Sequence, residues 1–190
     1  PVSGMRNASA LIGSDGKLIY GIPVYIKIGD EVAPVTKLGN HIFANLYNLK
    51  EVVIPYGILE FDRYTFEYSR IEKITIPGSI RILMDCGFYY NTSIKDVTLE
   101  EGIVEIGYNV FSHATNLINI KLPSTLRKIG GYVFYECSSL QSLTIPDGVI
   151  EMGDSVFGYC SKLEDIVIPN SLITFGTFVF QRCSSLESIA

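Results

Sequence analysis

A strand-like apolar signal ending in proline returns along this chain at a near-constant interval, and that periodicity restricts the possible folds more than any other feature. Ile54-Pro55, Ile76-Pro77, Leu99-Glu100, Leu122-Pro123, Ile145-Pro146 and Ile168-Pro169 are spaced by 22, 23, 23, 23 and 23 residues. The best-preserved units are LQSLTIPDGVIEMGDSVFGYCSK, beginning at Leu140, and LEDIVIPNSLITFGTFVFQRCSS, beginning at Leu163. Both fit L-x-x-[IVL]-x-[IL]-P-x-x-[IVL]-x-x-[IMF]-G-x-x-V-F-x-x-C-x-x. A unit this short cannot enclose its own apolar face, so the repeats must stack as coils of a solenoid.

Each column has a physical reading. Leu143 and Ile145, with Thr144 between them, alternate as in a strand with one buried face. The proline that follows cannot donate to a ladder, so it ends the strand at a set point. A second short apolar segment, such as Val149 and Met152, precedes a glycine (Gly107, Gly130, Gly153, Gly176) suited to a sharp turn. Val110-Phe111, Val133-Phe134, Val156-Phe157 and Val179-Phe180 then return an aromatic ring to the core.

Earlier units keep the frame with departures. Leu49 to Arg70 is one residue short, and Ile71 to Ser93 has Met84 in place of the glycine. Val35, Leu38, Gly39, Phe43 and Leu46 match half a unit, and Leu186 to Ala190 begins another. The count is six full repeats flanked by two partial ones. Seven strands stacked at about 4.8 Å would span about 29 Å. Residues 1–34 do not repeat. Ser14-Asp15-Gly16-Lys17 reads as a hairpin turn between Ala10-Leu11-Ile12 and Leu18-Ile19-Tyr20, and Gly29-Asp30 as a second turn. A small β cap over the first coil is expected there, followed by the solenoid over 35–190.

The bulk composition agrees with a folded, buried-core chain. Apolar residues make up 47% of the 190 and charged residues 18%, too much core material for a disordered segment. The mean hydropathy of +0.28 is high, yet no run nears the roughly 18 apolar residues of a spanning helix. No membrane insertion is therefore expected from these residues. The net charge of −5 and the absence of any Lys/Arg cluster argue against nucleic acid, which requires a basic face. Pro1 opens the chain without an apolar signal segment, so targeting is not readable here.

The run I-P-x-x-[VI]-x-x-[IM]-G-x-x-x-F-x-x-C-S-x-L resembles the BspA-like, or Treponema pallidum-type, leucine-rich repeat over about residues 35 to 190. The resemblance implies a right-handed, β-rich leucine-rich-repeat solenoid of about six 23-residue repeats, with short turns or helical segments on its convex side. It further implies a surface or secreted protein of the kind associated with adhesion to matrix proteins, cells or other microbes. The family brings no conserved active site, so no catalytic residue is carried over. Glu100 for proline, Asn91 and Ala114 for cysteine, and Met84 for glycine are modest departures.

Candidate chemistry reduces largely to packing. Cys137, Cys160 and Cys183 share a column with Leu46, Ser69, Asn91 and Ala114, which reads as a small interior slot for free thiols. A disulfide between neighbours or a metal site are the alternatives; three stacked parallel side chains cannot all pair, and no Cys-x-x-Cys pair exists. Cys86 lies outside the column. His41 and His113 have no evident nucleophile partner, and Glu100-Glu101 with Asp96 read as solvated strand-end carboxylates. No phosphate-binding loop or dinucleotide fingerprint is present. No enzyme and no cofactor are expected. Asn7 and Asn91 match the glycosylation pattern, but Asn91 falls in the interior column.

The surfaces remain. The third and fifth strand positions should line one continuous sheet face. Its candidate contact residues are Glu51, Lys73, Thr75, Asp96, Thr98, Asn119, Lys121, Ser142, Thr144 and Asp165. It is polar, mixed in charge and free of aromatics. Tyrosines gather at the turn edge instead, and Tyr68, Tyr90, Tyr108, Tyr132, Tyr135 and Tyr159 form a second candidate surface, unless they pack between coils. The expected function is a non-catalytic binding module for an extracellular protein or glycan, with a structural spacer as the alternative. Leu186 to Ala190 would be an open edge strand, favouring end-to-end self-association or further coils.

Overall fold

A computed structural model of the chain describes the backbone of residues 10–12, 18–21, 25–28 and 31–190, and side chains from Pro34 onward. The expected turns at 14–17 and 29–30, and Asn7, lie outside the described residues. Strands β1 (Ala10–Ile12) and β2 (Leu18–Gly21) pair antiparallel, as do β3 (Tyr25–Ile28) and β4 (Glu31–Pro34). β2 also pairs in parallel with the first strand of the repeats, placing Ile19 opposite Glu51.

From there the chain is a parallel β-solenoid of about seven turns. The main strand of each coil is β6 (Glu51–Val53), β8 (Lys73–Ile76), β10 (Asp96–Leu99), β12 (Asn119–Lys121), β14 (Ser142–Thr144), β16 (Asp165–Val167) and β18 (Ser188–Ile189). A two-residue strand follows the proline position of each coil, Glu100 standing there before β11: β7 (Glu60–Phe61), β9 (Ile82–Leu83), β11 (Glu105–Ile106), β13 (Lys128–Ile129), β15 (Glu151–Met152) and β17 (Thr174–Phe175), with β5 (Lys37–Leu38) pairing β7. These short strands form an unbroken five-stranded sheet from β9 to β17. Lys128 crosses three coils of it, 3.6 Å from Glu105 and 3.3 Å from Glu151.

The third side of each coil is a turn, and no helix occurs among the described residues. The turns are zippered across coils like the strands. Phe66 N donates to Gly87 O at 2.8 Å, Phe88 N to Val110 O at 2.9 Å and Phe134 N to Val156 O at 2.9 Å. Two residues per turn adopt left-handed backbone: His41 and Asn45, Tyr64 and Tyr68, Cys86 and Tyr90, Asn109 and His113, Tyr132 and Glu136, Ser155 and Tyr159, Phe178 and Arg182. None is glycine, so each carries a steric cost of about 1 kcal/mol. The conformation aims alternate amides along the axis, where inter-coil hydrogen bonds offset that cost. Cys86 is thereby assigned: it is the first left-handed residue of its turn.

The glycine column has a different cause from the turn expected of it. Gly107, Gly130, Gly153 and Gly176 do not adopt left-handed backbone. A Cβ on Gly153 would lie 2.5 Å from Gly131 N, and one on Gly176 within 2.3 Å of the Gly153 carbonyl carbon. From Gly107 to Gly176 the coils touch backbone to backbone at this corner, which leaves no room for a side chain; Met84 takes the same column where β9 and β7 do not pair.

The interior is layered by column. Phe43, Phe66, Phe88, Phe111, Phe134, Phe157 and Phe180 form one stack, with successive centroids 4.9–6.0 Å apart and ring planes within 16°. Leu49, Ile71, Ile94, Leu117, Leu140 and Leu163 are buried beside them. The cysteine slot holds free thiols. Its polar members are satisfied too: with its amide oriented to donate to the Ile71 and Ser69 carbonyls, buried Asn91 also accepts from the Ser69 hydroxyl at 3.0 Å.

Candidate interaction surfaces

The strand face carries the third and fifth positions outward, as parallel pairing requires. Lys73, Thr75, Asn119, Lys121, Ser142, Thr144 and Asp165 are exposed, and Glu51, Asp96 and Thr98 are half-buried. Register aligns Glu51, Lys73, Asp96 and Asn119 in one row, and Thr75, Thr98 and Lys121 in the next. Ser142 opposes Asp165, and Thr144 opposes Val167.

The face is not the continuous sheet expected of it. β12 and β14 do not pair, so a six-stranded sheet ends at β12 and a three-stranded one begins at β14. Ile120 and Leu122 are half-buried at this seam, whereas Val97 and Leu99 in the same columns are buried. The other two sides stay closed across it, through Lys128 opposite Glu151 and through Phe134 N to Val156 O.

A second irregularity lies near the first coil. Phe66 to Ile71 spans five residues where Phe88 to Ile94 spans six. That shortened return leads into β8, whose register with β6 survives at one pair, Glu51 with Lys73. Beyond that pair a hollow of about 290 Å³ opens between the coils, lined by Glu51, Val53, Tyr56, Lys73, Thr75 and Glu100 over a floor of Val52, Ile54 and Ile74. Tyr56, which the sequence reading passed over, is 65% exposed here. Its signal was available: it follows the strand-ending Pro55 on the outward side.

Much of the remaining strand face is occupied with itself. Asn119 Nδ2 donates to Asp96 Oδ1 at 2.8 Å, and Ser188 Oγ to Asp165 Oδ1 at 2.5 Å. By contrast, neither Glu51 nor Lys73 joins an ion pair among the described residues.

The tyrosine edge is a ladder of rings in mutual contact. Tyr68 stacks on Tyr90 at 5.2 Å, Tyr90 on His113 at 4.0 Å, His113 meets Tyr135 edge-on at 5.7 Å, and Tyr135 meets Tyr159 at 5.3 Å. Tyr108 and Tyr132 form a parallel branch at 5.2 Å, joined through Tyr135. Tyr90 is covered on both sides by Tyr68 and His113, whereas the rings of Tyr108, Tyr132, Tyr135 and Tyr159 meet at tilted angles, and Tyr68, Tyr108 and Tyr159 stay exposed. Burial raises the Tyr108 and Tyr135 hydroxyls above the usual tyrosine range. His113 Nδ1 lies 2.9 Å from Glu136.

Candidate reactive groups are dispersed or inert. Burial raises the Cys137 and Cys160 thiols well above the ordinary range, and a protonated buried thiol is a poor nucleophile. Glu101 accepts from the Ser124 and Thr125 amides, which hold its carboxyl below the usual range. Among the described residues no group of His, Cys, Asp and Glu is placed to hold a metal, and no helix is long and apolar enough to cross a membrane.

The comparison with known proteins agrees with this architecture. A family model described as the BspA type leucine-rich repeat region, in six copies, matches residues 25–117 and 104–190. The crystal structure of the T. pallidum leucine-rich repeat protein is similar at 29% identity and a TM-score of 0.63, covering 65% of this chain and 60% of that one. A leucine-rich cell surface protein from Faecalibacterium prausnitzii A2-165 shares the fold at 19% identity and a TM-score of 0.57, covering 90% and 58%. The pneumococcal vaccine antigen PcpA does so at 16% identity and a TM-score of 0.56, covering 90% and 77%. This chain thus spans about three-fifths of the length of the first two structures. No curated protein sequence matches it.

Proposed function

We propose that this chain, which belongs to the BspA-type leucine-rich-repeat family, serves as a non-catalytic binding module of a surface or secreted protein, engaging an extracellular protein or glycan. Residues 1–34 act as its cap in this reading, with β2 continuing the solenoid sheet onto the first coil. The observation that carries the proposal is the strand face around β6 and β8. There, among the described residues, Glu51 and Lys73 join no ion pair, and the sheet opens into a hollow where a regular coil would have closed it. A repeat scaffold that consumes its conserved columns in packing leaves such variable outward positions for recognition. The relatives described as a cell surface protein and a vaccine antigen support display outside the cell.

The C-terminal half favours a second role as spacer. There the strand face is flat and short-chained, with Ser142 and Thr144 outward and Ser188 bonded to Asp165 across coils. The deciding experiment replaces the chain, within its parent, by an unrelated rod of equal length and measures adhesion to purified matrix proteins and glycans. Loss of adhesion supports the binding module; full retention sinks it and leaves the spacer. Self-association through Leu186–Ala190 is a separate reading, tested by light scattering at rising concentration.

A further inference from the structure

We infer that the hollow between β6 and β8 is a saccharide subsite that takes a single neutral pyranose ring of a glycan. This deepens the binding-module reading and rests on it.

The lining decides the chemistry by elimination. Lys73 lines the hollow beside Glu51 and Glu100, so a small cation would meet an ammonium as well as carboxylates and would leave the apolar walls uncovered. Glu51 and Glu100 place two carboxylates there, which disfavours a phosphate, sulfate or carboxylate. A wholly apolar ligand would cover all three charges without pairing them, and that is costly. Glu100 spends one oxygen on a long 3.4 Å contact from the Gly78 amide; the other has no partner among the described residues. What the hollow requires is a ligand with donors for the carboxylates, acceptors for the ammonium, and an apolar surface as well. A sugar hydroxyl is both donor and acceptor. The C–H face of a pyranose supplies the apolar part, matching the exposed Tyr56 ring and Val53 beside the buried floor of Val52, Ile54 and Ile74. The volume of about 290 Å³ lies at the small end for ligand sites, suited to one ring and not to an oligosaccharide.

The tyrosine ladder is the weaker glycan surface for a geometric reason. Tyr90 at its centre is covered by His113 at 4.0 Å and by Tyr68 at 5.2 Å, whereas among the described residues no ring contact covers Tyr56. A shallow one-ring site binds weakly, with a Kd on the order of 1 mM, and a multivalent glycan gains by avidity.

The test is saturation-transfer NMR on the whole purified chain. The probes are the methyl pyranosides of glucose, galactose, mannose, fucose and N-acetylglucosamine, one at a time. The expected result is transfer to the ring C–H protons of at least one of them. Tyr56→Ala removes it, Tyr56→Phe retains it, and Glu51→Gln weakens binding about tenfold. Tyr56 is largely exposed, and thermal melts of each variant confirm that the fold survives. Absence of transfer from every pyranoside overturns the inference, as does transfer unchanged in Tyr56→Ala and Glu51→Gln. If an extended Lys-containing peptide perturbs Tyr56 and Glu51 while no sugar does, the hollow is a peptide site and the saccharide assignment falls. Failure here with matrix-protein binding intact leaves the module reading standing. Sugar binding without adhesion of the parent protein removes the module reading instead.

Discussion

The Cys160 thiol donates to the main-chain oxygen of Phe134 one coil earlier, at 3.0 Å, and that same oxygen accepts from the Cys137 amide at 3.0 Å. Cys137 and Cys183 repeat the arrangement on Phe111 and Phe157. The cysteine column therefore does more than fill a small slot, because its weak S–H donors finish the carbonyls of the aromatic turn.

That relationship sets a pH dependence. Burial raises the folded-state values of Cys137 and Cys160 above those of the unfolded chain, so the folded state holds these protons more tightly. Stability is intact below the unfolded thiol value of about 8.5, and falls as pH rises past it by about 1.4 kcal/mol per pH unit for each thiol. Urea unfolding between pH 7 and 10 should show the decline, and the Cys137→Ala, Cys160→Ala double variant should make it shallower, leaving the part due to Cys86 and Cys183, which burial also raises. An unchanged slope would place the effect elsewhere.

Backbone contact at the glycine corner makes a one-carbon substitution severe. Gly153→Ala puts its Cβ on the Gly131 amide and the Gly130 carbonyl carbon, and should cost about 2–3 kcal/mol by overpacking. Gly39→Ala meets nothing within 4 Å and should be close to neutral. Equal losses at the two sites in chemical denaturation would refute the close-approach explanation.

The left-handed turn residues predict the opposite sign. Arg182 is exposed with φ near 62°. Glycine there relieves about 1–2 kcal/mol of steric cost and gives back about 0.4–1 kcal/mol as unfolded-state entropy. Arg182→Gly should therefore stabilise slightly, and Arg182→Val should destabilise. A melting series ranking valine above glycine would contradict the backbone assignment.

Hydrogen exchange reads the seam. Glu164 N and Asp165 N both donate to Gln141 O, at 2.8 and 3.3 Å. Across the seam, the equivalent amides of Gln141 and Ser142 have no main-chain acceptor on the preceding coil. They should exchange at least about tenfold faster than Glu164 and Asp165. Equal protection would mean that the strands close in solution.

The repeat made the columns legible, since Phe111, Leu117 and Ile106 recur at one interval and burial follows from stacking. The role of the glycines was misread because a contact between coils leaves the same letter in a sequence as a turn does. The left-handed pairs were hidden for a related reason: Tyr64, Cys86, Asn109, Tyr132, Ser155 and Phe178 share a backbone state and no side-chain type. The missing residue before Ile71 was visible, but the hollow it accompanies depends on how two strands meet in space. Ile118 to Leu122 fits the strand pattern as well as its neighbours, and nothing in it announces the seam.

The seam gives the rod a mechanical character. Hydrogen bonds between coils run along the solenoid axis, so tension applied at the two ends loads all the ladders of one interface together. Most interfaces share that load over three sides, while the one between Asn119–Lys121 and Ser142–Thr144 shares it over two. Under tension it gapes early, as does the interface between β6 and β8, which keeps one strand pair and has no pairing between β7 and β9. A rod fixed at one end and gripping at the other would bend there before its grip failed.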